Sequence, residues 1–271
     1  MQYLKAKLSK ENMPSFISHS SAKPSHYDKE AEHYDALNEE NSKATNLLIE
    51  KILKKYQVET VLDLTCGTGS QVFWLAKHGY SVVGCDINSR MLKIAKDKAR
   101  NAKLKIQFLQ GDMRTTKVGT FDAVITIFNA IGHLTKKDFE KAIRNIHRNL
   151  RKGGLYIFDI FNLSYLLSNN QITRLTIDWQ KMSGNTKVRE IQYSTIDEEG
   201  ILASYTTSYV QRGSSKPKIS KSAQTLQVYT AKQLREILEK KRFKVLEQCG
   251  VDGSKLQESR TERVLTVAKK V

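Results

Sequence analysis

The chain is poor in cysteine and proline, with three of each among 271 residues. Cys66, Cys85 and Cys249 form no CxxC pair and are odd in number, which argues against a disulfide scaffold and against a zinc site. Long apolar runs are missing, so a bilayer-spanning helix is excluded. The stretch Met1 to Lys23 is polar and rich in Ser and Lys. It lacks the apolar centre of a secretory signal and the arginines of a mitochondrial presequence. A reducing cytoplasm is the expected setting.

Acidic residues are also in deficit: 28 Asp and Glu face 45 Lys and Arg, a net charge of +17. The excess lies in Arg90–Lys105, in Lys136–Lys152 and in the C-terminal third. Such a surface can attract RNA, DNA or anionic lipid; the plainer reading is a solvated lysine-rich face.

What the sequence does contain is alternation. Val61–Leu64, Ser81–Asp86, Leu104–Leu109, Phe121–Ile127 and Leu155–Phe158 read as strands, separated by amphipathic helices. A parallel sheet with helices on both faces is implied. Before it, residues 1–40 are expected to form an arm and a short helix from His26 to Leu37 carrying Tyr27 and Tyr34. A longer helix starts near Ser42. Residues 41–162 form the core. Residues 163–229 break the rhythm with four alternating runs, Thr173–Trp179, Val188–Ile196, Ile201–Val210 and Ser222–Tyr229, and read as an antiparallel insertion. Residues 230–271 return to the core, with a helix capped by Thr230 and Gln233 and a closing antiparallel hairpin. The fold class is α/β: a doubly wound, mostly parallel seven-stranded Rossmann-like sheet with an antiparallel β insertion after strand five.

The chemistry concentrates at Asp63-Leu64-Thr65-Cys66-Gly67-Thr68-Gly69, a glycine turn between a strand and a helix. Such a turn lets a ligand approach the backbone, and the helix N-terminus favours negative charge. A dinucleotide site needs a third glycine, where this chain has Val72; Asp86, about twenty residues on, suits the ribose of either cofactor class. Asp63 ahead of the glycines, Gly111-Asp112-Met113-Arg114, Phe121-Asp122-Ala123-Val124 and Leu150-Arg151-Lys152-Gly153-Gly154 separate the classes. In their order and spacing, Val61 to Phe161 resembles the class I S-adenosylmethionine (SAM) dependent methyltransferases.

That resemblance implies SAM as cofactor and a role for each matching residue. Gly67 and Gly69 would admit the methionine part, and Asp63 would act on its amino group. Asp86 would take the ribose hydroxyls, with Ile87 beside the adenine. Asp112 would accept from the adenine amino group, with Met113 and Gly111 alongside. Phe128 and Asn129 would face the sulfonium. Thr65, standing where many relatives have glycine, Cys66 and Tyr34 complete the implied contacts. A narrower resemblance, carried by Tyr27–Tyr34, Gly111–Arg114 and Phe128–Leu134, is to the N-methyltransferases of amino sugars and of glycine. It implies a small-molecule acceptor, with an amine nitrogen preferred. The alternatives are an RNA-modifying or RNA-associated SAM-binding protein, and a nucleotide-binding module without catalysis.

Several chemistries are excluded. No Pro-Pro-Tyr tetrad follows strand four, and no cysteine is placed to attack a pyrimidine. No acid lies between Val124 and Leu134, so no metal is expected. Among the histidines, His147 reads as solvated. His133 follows strand four at the ligand edge and is the candidate base, with an ordinary pKa of about 6.5 and Tyr34 as its partner across the methyl group. The insertion is a candidate homodimer surface.

Overall fold

The computed structural model describes residues 18–28, 31, 34–168 and 171–271, the side chains of 35–41, 181 and 183 excepted. Strands β1 (Thr60–Asp63), β2 (Ser81–Asp86), β3 (Gln107–Gln110), β4 (Phe121–Thr126) and β5 (Leu150–Phe161) alternate with helices. These are α1 (Tyr34–Lys55), α2 (Ser70–Lys77), α3 (Ser89–Asn101) and α4 (Lys136–Asn149). After the short α5 (Leu163–Leu167) come β6 (Ile177–Ser183), β7 (Thr186–Ile196), β8 (Ile201–Arg212) and β9 (Lys218–Gln227). Then α6 (Ala231–Glu239), β10 (Phe243–Gly250) and β11 (Arg263–Lys270) close the chain. The seven-stranded sheet runs β10-β11-β5-β4-β1-β2-β3, and β6-β7-β8-β9 form a separate antiparallel sheet. The Rossmann-like core and the antiparallel insertion stand as the sequence predicts. Among the described residues no helix is long and apolar enough to cross a membrane.

Strand alternation sorts the core. Leu155 and Ile157 of β5 join one apolar cluster with Ile49 and Leu53 of α1, Val72 of α2 and Leu92 of α3. Tyr156, Phe158 and Ile160 join the opposite cluster with Phe139 and Ile143 of α4 and Leu234 of α6. Period-two strands buried on both faces require this division. The basic helices α3 and α4 therefore lie on opposite faces. Local chemistry sets the helix starts: Asn88 accepts from Met91 N, Thr135 from Asp138 N, and Thr230 with Gln233 makes a capping box.

The chain leaves β1 toward β2 and β3, then crosses back to place β4 on the other side of β1. That reversal makes the carboxyl ends of β1 and β4 the ligand crevice of such a sheet.

Several element limits differ from the sequence reading. The expected short helix at His26–Leu37 and the later one from Ser42 are a turn at 24–28 and one helix from Tyr34. β5 begins at Leu150 and runs through Gly153, whose φ of 77° lets the backbone turn without ending the strand. Strand three starts only at Gln107, and the first insertion strand at Ile177, behind a 3₁₀ turn at 171–175. The last insertion strand is Lys218–Gln227, shifted toward the N-terminus. His147 is half-buried, edge-on to Phe243 with centroids 5.5 Å apart, and burial lowers its pKa. Residues 1–17 of the expected arm lie outside the described residues. Residues 18–28 are docked on the core, as the site makes clear.

Candidate active site

β1 ends in Asp63, and the chain turns through Thr65–Gly69 into α2. Gly67 sits at φ 51°, and a Cβ there would meet nothing within 4 Å, so its backbone faces open crevice. Gly69 sits at φ 95° as N-cap of α2, where a Cβ would lie 2.6 Å from the Phe73 ring. The first glycine thus leaves room for a ligand and the second for a neighbour's packing.

Asp86, at the end of β2, ties this turn to the adjacent strand. Its Oδ2 accepts from Gly67 N at 2.8 Å and its Oδ1 from Asn88 N at 2.8 Å. Burial raises its pKa against the effect of these bonds. Asp63 is only 1% exposed. Its Oδ1 accepts from Thr65 N at 3.1 Å, while Oδ2 has no partner among the described residues. Burial, with the Asp86 charge adding to it, pushes the Asp63 carboxyl up to about 8. The Thr65 hydroxyl beside it is also buried without a partner among the described residues. Unpaired buried polar atoms are costly, and here two belong to residues 63 and 65, where β1 runs into the glycine turn.

Two cavities meet at this turn. One lies between the ends of β1, β2 and β4 and the segment 22–27; Asp86, Ile87, Asp112, Met113 and His133 line it. The other, a more open cleft, lies toward α1 and α2 and is lined by Lys43, Asn46, Cys66 and Thr68 among others. Tyr34, Thr65, Gly67, Ile127 and Phe128 line both. Of the sequence-predicted cofactor residues, Gly111 also lines the first cavity. Asp63, Gly69 and Asn129 line neither.

Some side chains are engaged differently from what the motifs imply. The Asp112 carboxylate is gripped by Arg114, whose Nε lies 3.0 and 2.9 Å from its two oxygens, and Arg114 bridges onward to Asp138 at 2.7 Å. The Asn129 side chain points away from the crevice: its Oδ1 accepts from Phe161 N at 2.8 Å, so it shapes the loop rather than facing a ligand.

The far wall is built by His133, in a 3₁₀ turn at Ala130–His133, and by the segment 18–28 laid across it. Ala22 N donates to the His133 carbonyl at 2.8 Å, and His19 Nε2 donates to the Leu134 carbonyl at 3.1 Å. Asn88 holds the other end through Pro24 O and Asp28 Oδ1, at 2.8 and 2.9 Å. The partner of His133 is Tyr27, with 2.6 Å between its hydroxyl and Nε2. Tyr34, the partner expected from the sequence, packs its ring against Tyr27 instead, with centroids 5.8 Å apart. Enclosure by this segment, with His26 and His19 close by, drives the His133 pKa down to about 3. The expected value near 6.5 is therefore corrected: the imidazole is neutral at physiological pH.

The sequence reading gives no contact to Arg114, though it lies in the Gly111–Arg114 motif, and misses Asn88, which also lines the crevice, and Asp159 and Arg263 behind it. Asp159 accepts from Phe128 N and pairs with Arg263. The one local signal was an acid inside the apolar run of β5; its partner is about a hundred residues away.

Residues 61–154 match the family described as a methyltransferase domain. Human glycine N-methyltransferase is 31% identical to the chain over 134 residues, 43% of this chain and 45% of that enzyme. The chain spans about half the length of the curated relatives it matches. Among solved structures, an S-adenosylmethionine-dependent methyltransferase from Clostridium acetobutylicum ATCC 824 superposes with a TM-score of 0.74 at 22% identity. That match covers 90% of this chain and 98% of the other. The sugar N-methyltransferase KedS8 from Streptoalloteichus sp ATCC 53650 superposes with a TM-score of 0.72 at 17% identity, over 94% and 97%. At these identities the likeness is one of fold, and its coverage is much wider than residues 61–154.

Proposed function

We propose that the protein is a SAM-dependent methyltransferase acting on a small molecule, with an amine nitrogen as acceptor. The observation that carries this reading is that Asp63 Oδ2 and Thr65 Oγ1 are buried without partners among the described residues, at a glycine turn whose Gly67 opens onto free space. These groups suit an ammonium, as the amino end of SAM carries. Asp86 then serves the ribose hydroxyls, and Ile87 and Met113 flank the adenine. When bound, SAM supplies a methyl group on a sulfonium, reactive toward a lone pair in line with it.

The residues of the chain have the task of alignment, which can contribute roughly 7–11 kcal/mol. Tyr27 and neutral His133 are read as the acceptor-facing pair. A neutral imidazole orients an amine without the repulsion that an imidazolium would exert on the sulfonium. The segment 18–28 closes the crevice and keeps water from it. The basic helices α3 and α4 lie on opposite faces and make no single groove, which favours a small acceptor over RNA. A cytoplasmic homodimer joined through the insertion belongs to the same reading.

The test is calorimetry with SAM and S-adenosylhomocysteine. Both bind the wild type, and Asp86→Ala weakens binding by about 1.5–3 kcal/mol, the worth of a hydrogen bond to a charged group. Wild-type affinity in that variant would remove Asp86 from the ribose site.

A further inference from the structure

Phe128 and Asn129 are consecutive non-glycine residues at φ 63° and 58°. Left-handed backbone is costly for Phe128 and persists there only where the surroundings impose it, whereas asparagine adopts it more readily. The imposing groups lie behind the loop. Phe128 N donates to Asp159 Oδ1 at 2.6 Å, and Asn129 Oδ1 takes Phe161 N at 2.8 Å. The Asp159 side chain is fully buried, and its second oxygen is paired with Arg263, whose side chain is 14% exposed. Arg263 comes from the first position of β11, opposite Phe161 at the crevice end of β5. Its guanidinium carbon stands 5.3 Å from the centroid of the Phe128 ring. Its Nε is buried without a partner among the described residues. The guanidinium is therefore placed to serve Asp159 and the Phe128 ring, at the cost of its own full hydrogen bonding.

Phe128 lines both cavities at their junction. We propose that Arg263 and Asp159 are positioning residues that clamp Phe128 from behind, and so set the passage along which the amino-acid arm of the cofactor runs from one cavity into the other. This rests on the methyltransferase reading above. The clamp pairs carboxylate with guanidinium, so it holds the backbone without leaving net charge behind the sulfonium. Removing Arg263 alone would leave Asp159 buried and uncompensated.

The test compares two probes in the full chain: S-adenosylhomocysteine, which has the amino-acid arm, and 5′-methylthioadenosine, which lacks it. Arg263→Met is expected to weaken S-adenosylhomocysteine on the order of tenfold and 5′-methylthioadenosine by less than about threefold. Arg263→Lys, which keeps a cation for Asp159, restores the affinity to within about threefold. In the ligand-free protein, hydrogen exchange followed by NMR is faster at the Phe128 amide in Arg263→Met than in the wild type. Equal loss of both probes, or an unchanged Phe128 amide, overturns the clamp. Should Arg263→Met not fold, the neutral pair Asp159→Asn with Arg263→Met takes its place with the same arm-selective loss expected, and equal losses again overturn it. Failure of the methyltransferase reading looks different: the wild type then binds neither probe, while Phe128 exchange still responds to Arg263.

Discussion

The hydroxyl of Tyr27 stands 2.6 Å from Nε2 of His133, joining a turn ahead of the first helix to the loop after the fourth strand. Both groups line the crevice, so the covering segment and the loop beneath it share one hydrogen bond at the crevice wall.

The first prediction concerns the charge of His133. Its pKa is held down to about 3 by burial and by the nearby His26 and His19. NMR of the labelled imidazoles is expected to show His133 neutral from about pH 8 to about pH 5, a range in which a free histidine titrates. With an accepting amine in hand, His133→Ala lowers the transfer rate by about 10²-fold or less. It introduces no change in pH dependence near neutrality. A His133 resonance that titrates near its ordinary value would show that the segment 18–28 does not enclose it in solution.

Stability should respond to pH through two groups of opposite sign. His133 is depressed from 6.5 to about 3, so the unfolded chain binds the extra proton between these values. Its contribution is present above 6.5 and is lost as pH falls below it. Asp63 is raised from 3.8 to about 8, so the folded chain holds the extra proton, and its contribution is lost as pH rises through about 8. Of these two groups only Asp63 still acts above 6.5, and the neighbouring Asp86 carboxyl, also raised by burial, works in the same direction. Urea midpoints of the wild type are expected to fall from about pH 6.5 to about pH 8. Asp63→Asn should flatten that slope, and an equal slope in the variant would assign the loss elsewhere.

Asp63 also predicts a proton count. With a carboxyl pKa of about 8, it is mostly protonated at neutral pH before a ligand arrives. An ammonium placed against it favours the carboxylate, so binding of S-adenosylhomocysteine at neutral pH should release up to about one proton. Calorimetry in buffers of different ionisation enthalpy measures this directly. Asp63→Asn should abolish the release, and release that persists in the variant would show that Asp63 is not its source.

The two glycines of the turn should fail in different ways. At Gly67 a side chain meets open space at φ 51°, so Gly67→Ala is expected to cost about 1 kcal/mol of backbone strain. It should also weaken SAM by obstructing the crevice. At Gly69 an added Cβ would press on Phe73 at 2.6 Å with φ at 95°. Gly69→Ala should therefore lower the melting temperature more than Gly67→Ala does. The reverse order of melting temperatures would contradict the division of roles.

The amino-acid sequence by itself determined the sheet, the glycine turn and the position of Asp63 and Asp86 beside it. These follow from local rules: short, nearly continuous apolar runs at Val61–Leu64 and Phe121–Ile127 set between amphipathic helices, capping at Thr135 and Thr230, and glycine where φ is positive. The start of α1 is not legible in the sequence, because residues 34–41 are mostly polar and do not continue the apolar face of Leu48, Ile52 and Leu53. Tertiary structure alone decided the rest. Tyr27 rather than Tyr34 meets His133 because the turn at 24–28 folds back over the crevice. The charge of His133 depends on how much water that fold-back removes. Asn129 turns inward because Phe161 offers it an amide, and Asp159 finds its counter-ion 104 residues on, in the last strand. Periodicity records which face a residue shows to the core; it carries no record of which distant residue will lie opposite.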